Sequence, residues 1–168
     1  LANPFDTRRK GSLLYPGRHQ AALAQYPQLA AEATLITYSW PESHEALAEL
    51  LRRSEVVYCF ESTAIATEAA LCGCPAVILP SPLFNGVALS EAEIGRNGIA
   101  LNDSPDEIAF ARRTVGQMWD AYQASEARFW SQLDHFVAST QAMPVSDVAA
   151  HPAEAPAAAE ARQLYTLW

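Results

Sequence analysis

The sequence predicts an α/β fold in which helices cover both faces of a parallel sheet. Residues 12–15, 55–60 and 76–79 form short apolar runs that lack the polar alternation of a strand with one face in water. Segments with helical spacing separate these runs along the chain. Strands that alternate with helices and are apolar on both sides are typical of a parallel sheet buried between two helical layers.

The first strand is predicted over residues 12–15 and ends at the turn formed by Pro16 and Gly17. Residues 21–33 are rich in Ala, Leu and Gln and predict a helix. Because proline removes a backbone donor, Pro27 is expected to break or kink this helix.

The second strand is predicted over residues 33–40, ATLITYSW, because β-branched and aromatic residues dominate the run. A helix is predicted to follow from Ser43. Its residues Leu47, Leu50 and Leu51 have the spacing of one helical face.

The third strand is predicted over residues 55–60, EVVYCF, and a helix over residues 63–72. Gly73 ends this helix, since glycine followed two residues later by Pro75 is a strong stop signal. Residues 76–79 predict the fourth strand.

Another helix is predicted to begin at Ser104, with proline at the first helical position and Glu107 at the third. Apolar residues continue at helical spacing from Val115 to Val137 and are expected to pack in the core.

Three segments are predicted: a linker over 1–11, one domain over 12–143, and an Ala/Pro-rich tail over 144–168 that ends in a short docking helix, ARQLYTLW. The linker-like start, LANPFDTRRKG, leads us to expect the C-terminal piece of a longer protein.

Composition disfavours several classes of function. The net charge of -8 would repel a phosphate backbone, so no nucleic-acid partner is predicted. No apolar run has the length of a membrane span, and a cytoplasmic location is predicted. The three cysteines form neither a disulfide framework nor a zinc pattern and are expected to be small core residues, so no metal is predicted.

The helix predicted after the third strand carries one carboxylate, Glu68, in an otherwise apolar sequence. Open parallel sheets bind ligands at the carboxyl ends of their strands, where helix N-termini offer free N–H groups to anions. Ser62, Thr63 and Ala64 would form that helix start, with two hydroxyls and room for a phosphate. Glu68 lies roughly 6 to 8 Å further along the axis, within reach of the ribose of a bound nucleotide diphosphate. The alternative is a Glu68 that is exposed, or paired with an arginine such as Arg18.

The run EVVYCFESTAIATEAALCGCPAVILP resembles the C-terminal, donor-binding domain of GT-B glycosyltransferases. The shared features are a strand, a small-residue turn, a helix bearing Glu-Ala, and Gly-x-Pro before the next strand. The resemblance covers about residues 11–82, and the chain to Met143 fits more loosely. It implies a Rossmann-like parallel sheet with helices on both faces, the C-terminal half of a GT-B architecture, followed by C-terminal helices.

The resemblance also implies roles for single residues. Glu68 matches the glutamate that holds the donor ribose, and Ser62, Thr63 and Ala64 match the helix start that holds the diphosphate.

Further matches lie outside that helix. Gly17 and Arg18 stand where a glycine-plus-basic turn faces the phosphates. Trp40 follows the second strand near the expected base and is a candidate for base contact, with packing as the alternative. Glu61 is grouped with the diphosphate-binding residues. Six residues separate it from Glu68, whereas the common retaining pattern has seven between two glutamates, so retention and inversion both stay open.

The predicted function is therefore the donor-binding part of a glycosyltransferase that uses a nucleotide-sugar, in bacterial surface glycan synthesis. It implies a cytoplasmic protein that is peripheral to the inner membrane at full length, an N-terminal acceptor-binding domain as partner, and no cofactor. No general base is identified, and the chain alone is expected to bind the donor but not to transfer sugar. The alternatives are a domain like a non-hydrolysing nucleotide-sugar 2-epimerase and a flavodoxin-like interaction module that binds no nucleotide.

Overall fold

A computed structural model of the chain describes residues 9–81 and 86–142. Contacts divide the chain into two compact units, Leu1–Ala127 and Arg128–Trp168. The predicted linker residues 1–8 and the predicted tail, 144–168, with its docking helix lie outside the described residues.

The first unit contains a five-stranded sheet in which every neighbouring pair is parallel. The strands are β1 (Ser12–Tyr15), β2 (Thr34–Leu35), β3 (Val56–Cys59), β4 (Ala76–Ile78) and β5 (Ile99–Ala100). Their order across the sheet is β2-β1-β3-β4-β5. The α-helices are α1 (Pro27–Glu32), α2 (His44–Arg53), α3 (Ala64–Leu71), α4 (Pro105–Thr114) and α5 (Met118–Gln141), and short 3-10 helices cover Gln20–Gln25 and Val115–Gln117.

Two buried clusters lie on opposite faces of the sheet, because neighbouring residues of a strand point to opposite sides. In β1, Leu13 packs with α2 and α3, whereas Leu14 packs with the Gln20–Gln25 turn and α4. The sequence-predicted Rossmann-like α/β fold, with helices on both faces of a parallel sheet, is thereby confirmed.

Small residues let α3 approach the sheet closely. Ala66, Ala69 and Ala70 face the core, and each has at most 2% of its surface exposed. Glu68 lies on the same helix but is only partly buried.

Several predicted elements differ from the observed ones. The second strand has two residues instead of eight, because the chain turns back at Thr37, whose N–H and C=O pair with Trp40. The helix predicted over 21–33 is interrupted between Gln25 and Pro27, as Pro27 led us to expect. The short strand β5 was not predicted.

Within the first unit, the aromatic residues after Met118 do not pack in the core, contrary to the prediction. Met118 is fully buried, but Trp119 and Tyr122 are exposed and stack on each other with their ring centroids 5.7 Å apart. The core ends at Met118, and the helix continues past it.

The second unit is described by its part of α5, from Arg128. Its exposed large apolar residues are Phe129, Trp130, Leu133, Phe136 and Val137. Within the described parts of the chain, no helix combines the length and apolarity that a bilayer span requires.

Arg9 ties the start of the described chain to two helix ends. Its guanidinium donates hydrogen bonds to the carbonyls of Leu51 and Ser54 after α2 and of Cys72 after α3. Helix C-termini leave carbonyls unpaired and attract cations, so one arginine stabilises both ends.

A second partly buried contact, at Glu107, holds α4 against the end of β5. The Glu107 carboxylate accepts hydrogen bonds from the Leu101 N–H and from Arg96, each at 2.8 Å. Burial alone would raise the pKa of Glu107, but the hydrogen bonds from Leu101 and Arg96 outweigh it and lower the pKa below 4.5.

We expect Glu107→Gln to lower the free energy of unfolding by about 1.5 to 3 kcal/mol at pH 7, the range for hydrogen bonds to a charged group. Because the folded pKa lies below the unfolded value, this stability is fully present above pH 4.5 and is lost as the pH falls through the folded pKa. Urea unfolding near neutral pH and at about pH 3 measures both effects. The exposed Glu126→Gln is the control, and an equal loss at both pH values would contradict the assignment.

Candidate functional site

The candidate site lies where the strand order reverses. Chain order runs outward from β1 to β2 on one side and from β3 to β5 on the other, so β1 and β3 flank the reversal. The register pairs Tyr15 with Cys59, so the loops that follow these strands leave the sheet side by side. In open parallel sheets this switch point forms a crevice at the carboxyl ends of the strands, and ligands bind there.

The loop after β1 holds a carboxylate from the loop after β3. Glu61 Oε1 accepts from the Arg18 N–H at 3.5 Å, and Glu61 Oε2 accepts from the Arg18 guanidinium at 3.3 Å. His19 Nε2 also lies 3.3 Å from Glu61 Oε2, without hydrogen-bond geometry, and is a buried nitrogen with no hydrogen-bond partner among the described residues. One carboxylate therefore faces a backbone donor, a guanidinium and an imidazole.

Gly17 makes room for this carboxylate. A Cβ at position 17 would lie 2.4 Å from Glu61 Oε1. The backbone there has φ +55°, a conformation that residues with a side chain rarely adopt. The Glu61 side chain is only 14% exposed, whereas that of Arg18 is 77% exposed. The carboxylate thus occupies an enclosed position over the loop.

The N-terminus of α3 borders the same crevice and is not capped by a side chain. Its N-cap residue, Thr63, makes no capping hydrogen bond, whereas Ser43 caps α2 and Ser104 caps α4. The Thr63 hydroxyl is buried near the Cys59 thiol and has no other partner among the described residues. The Ala66 N–H donates to the Thr63 carbonyl, whereas the N–H groups of Ala64 and Ile65 receive no cap from the Thr63 side chain and can meet an anion or solvent.

Ser62 belongs to the loop between β3 and α3 and contacts the chain between β4 and β5. Its oxygen accepts a hydrogen bond from the Leu89 N–H, so Ser62 can still donate its own hydroxyl hydrogen.

Glu68 lies more than one turn beyond the helix start. Among residues 9–81 and 86–142, no ion pair or side-chain hydrogen bond engages its carboxylate. The alternative prediction that Arg18 pairs with Glu68 does not match the structure, because Arg18 pairs with Glu61.

A cleft of about 290 Å³ lies at the end of β1, between the loop after β2, α2 and the first turn of α3. Its walls are formed by Tyr15, Ile36, Thr37, Tyr38, Pro41, Glu42, Ser43, His44, Leu47 and Ile65. This volume is close to the lower end of the range for small-molecule sites. Its aromatic and aliphatic walls suit a flat heteroaromatic ring, and the polar groups beside them are hydroxyls, the Glu42 carboxylate and the His44 imidazole.

Two tyrosines connect the cleft to the loop. The ring of Tyr15 lines the cleft and would also be 3.4 Å from a Cβ at Gly17. The Tyr38 ring meets it edge-on with the centroids 6.2 Å apart. Burial, and then the hydrogen bond with Tyr38, raises the pKa of Tyr15 to about 12, so its hydroxyl stays protonated and can donate.

Trp40 lies at a different cleft. Its neighbours there are Pro41, Glu42, Ala46, Leu50 and Arg53, and 41% of the Trp40 surface is exposed. The structure thus brings Gly17, Arg18, Glu61 and the start of α3 together but does not place Trp40 beside them.

Sequence reasoning gave no role to Tyr15, Tyr38 and Ile65. One signal was available for two of them: Tyr15 is the last residue of the predicted first strand, and Ile65 lies in the first turn of the predicted helix over residues 63–72. Their approach to one another depends on the strand order, which the sequence does not show.

The cysteines are not nucleophiles at this site. Burial raises the pKa of Cys59 and of Cys74 to about 12, and burial likewise raises that of Cys72, so all three thiols stay protonated at neutral pH. Among residues 9–81 and 86–142, no three His, Cys, Asp or Glu side chains are grouped to hold a metal ion.

No protein-family model, curated protein or solved structure matches the chain.

We expect Gly17→Ala to destabilise the protein by about 2 kcal/mol, of which roughly 1 to 2 kcal/mol is the cost of a positive φ for an L-residue. The remainder comes from pushing Glu61 away from Arg18. Gly11→Ala is the matched control, because Gly11 also has a positive φ, +74°, but open space around its Cβ position. Urea unfolding of both variants measures how much more stability Gly17→Ala loses than Gly11→Ala. This extra loss should vanish when both glycine variants also carry Glu61→Ala. An extra loss that persists there would contradict the steric account.

Proposed function

We propose that this chain binds the nucleoside diphosphate part of a nucleotide-sugar and serves as the donor-binding part of a glycosyltransferase. The observation that carries the proposal is the loop after β1, which holds an anion, the Glu61 carboxylate, at the switch point of a parallel sheet. A loop that binds a carboxylate through a backbone N–H and a guanidinium has the donors that a phosphate needs.

The diphosphate is assigned to the space between this loop and the start of α3. Arg18 and His19 face it from one side, and the uncapped N–H groups at Ala64 and Ile65 face it from the other. Helix N-termini attract anions through their free N–H groups and their dipole. Neutralisation of the leaving diphosphate by such groups is the contribution that a donor domain makes to glycosyl transfer.

The base is assigned to the cleft lined by Tyr15, Tyr38 and Ile65. Since Ile65 belongs to the first turn of α3, a base in the cleft and a diphosphate at the helix start are neighbours. Glu68 lies three residues after Ile65, on the same face of α3 and one turn further from the start. A ribose that joins base and diphosphate thus has a carboxylate acceptor near it, in keeping with the role that the GT-B resemblance implies for Glu68.

We expect saturable binding of one nucleoside diphosphate among UDP, GDP and ADP, measured by calorimetric titration of this chain together with CMP and a few nucleotide-sugars. Glu68→Ala should weaken the affinity at least tenfold, which corresponds to about 1.4 kcal/mol, because it removes the ribose acceptor. Glu55→Ala, which removes an exposed carboxylate before β3, should leave the affinity unchanged. The absence of binding at millimolar ligand would contradict the proposal.

The base assignment has its own test. Tyr38→Ala should weaken binding of the preferred nucleotide by about 1 to 3 kcal/mol, the range for stacking of a base on an aromatic ring. Trp40→Ala should have a much smaller effect, since Trp40 borders the other cleft. Calorimetric titration of both variants decides between the two aromatic residues, and a larger loss for Trp40→Ala would assign the base to the second cleft.

A further inference from the structure

The donors assigned to the diphosphate already contact an anion that belongs to the protein. The Arg18 N–H and guanidinium are both directed at Glu61, and His19 Nε2 lies 3.3 Å from the same carboxylate. An incoming phosphate that uses these donors meets a negative charge already in place. Like charges that share one set of donors repel each other.

The position of Glu61 is built into the fold. The residue directly follows Phe60, which is fully buried after β3, so its backbone is anchored at the end of a central strand. The missing Cβ at Gly17 opens the space that the carboxylate occupies, and the side chain is mostly enclosed. Arg18, in contrast, is largely exposed and is free to turn toward a ligand.

We infer that Glu61 acts as an internal competitor of the diphosphate, an inference that rests on the proposed function of this site. In the empty site the carboxylate takes the anion position over Gly17, and a phosphate binds there only by displacing it from Arg18. Small phosphate anions have no further contacts that compensate for this displacement. The displacement lowers the affinity for both ligands by the same factor, but a nucleotide also contacts the cleft at Tyr38 and α3. A nucleotide therefore still binds at concentrations at which free pyrophosphate does not.

Inorganic pyrophosphate is the probe that isolates the anion position, because it has no base or ribose. We expect Glu61→Gln to bind pyrophosphate at least fivefold tighter than the unmodified chain, measured by calorimetric titration. Glutamine keeps the size of the side chain and an oxygen that can accept from Arg18, but it removes the charge. Glu61→Ala, which empties the position, should also bind more tightly.

The matched control is Glu55→Gln. It removes one negative charge, so it changes the net charge by the same amount. Glu55 directly precedes β3, at the amino ends of the strands, whereas the site lies at their carboxyl ends. Its pyrophosphate affinity should stay within twofold of that of the unmodified chain. A gain as large as that of Glu61→Gln would show a general charge effect and would overturn the inference.

The remaining outcomes separate this inference from the proposed function. If the unmodified chain binds a nucleoside diphosphate but neither Glu61 variant gains affinity for pyrophosphate, Glu61 does not compete and only the inference is overturned. If neither pyrophosphate nor any nucleoside diphosphate binds the unmodified chain or its Glu61 variants, both are overturned.

Discussion

The reversal of strand order between β1 and β3 is the constraint on which the rest of the site depends. Both strands are central in the sheet, and their register places Tyr15 beside Cys59. Because the two strands are parallel, the chain leaves both at the same end of the sheet. The helices that follow β1 and β3 pack on opposite faces. The loops after β1 and β3 therefore lie next to each other, and the two strands give the side chains of these loops a rigid support.

Packing against the sheet explains why α3 can present its start to this crevice. The fully buried residues of α3 are all alanines, so its backbone lies close to β3 and β4. The chain after it turns at Gly73 and enters β4, and Arg9 holds the last carbonyl, that of Cys72. One end of α3 is therefore tied down by a cation, while the other end keeps its N–H groups uncapped.

The crevice brings basic groups and a carboxylate together, although the protein as a whole has a net charge of -8. A basic side chain and an imidazole lie on the β1 loop, and a single enclosed carboxylate lies between them and α3. An enclosed carboxylate needs partners, and Arg18 supplies them from a solvent-exposed position. Because the Arg18 guanidinium is exposed, it can turn from Glu61 to another anion, which suits a site that exchanges one anion for another.

Local sequence patterns were enough to identify the class of the fold and most of its elements. Apolar runs without polar alternation identified β1, β3 and β4, and the stop at Gly73 and the cap at Ser104 located the ends of α3 and the start of α4, because these signals act through neighbouring residues. It also singled out Gly17, Arg18, Glu61 and the start of α3 as one group, partly through a family resemblance that no comparison tests.

Tertiary structure alone decided which charges meet and which apolar faces are covered. The pairing of Arg18 with Glu61, rather than with Glu68, depends on a contact across 43 positions of the chain, which local patterns do not record. The same holds for the short β2 and for α5, whose apolar spacing predicted a helix but not its exposure beyond Met118. Periodicity fixes the conformation of a segment, whereas its neighbours are chosen by the packing of the whole sheet.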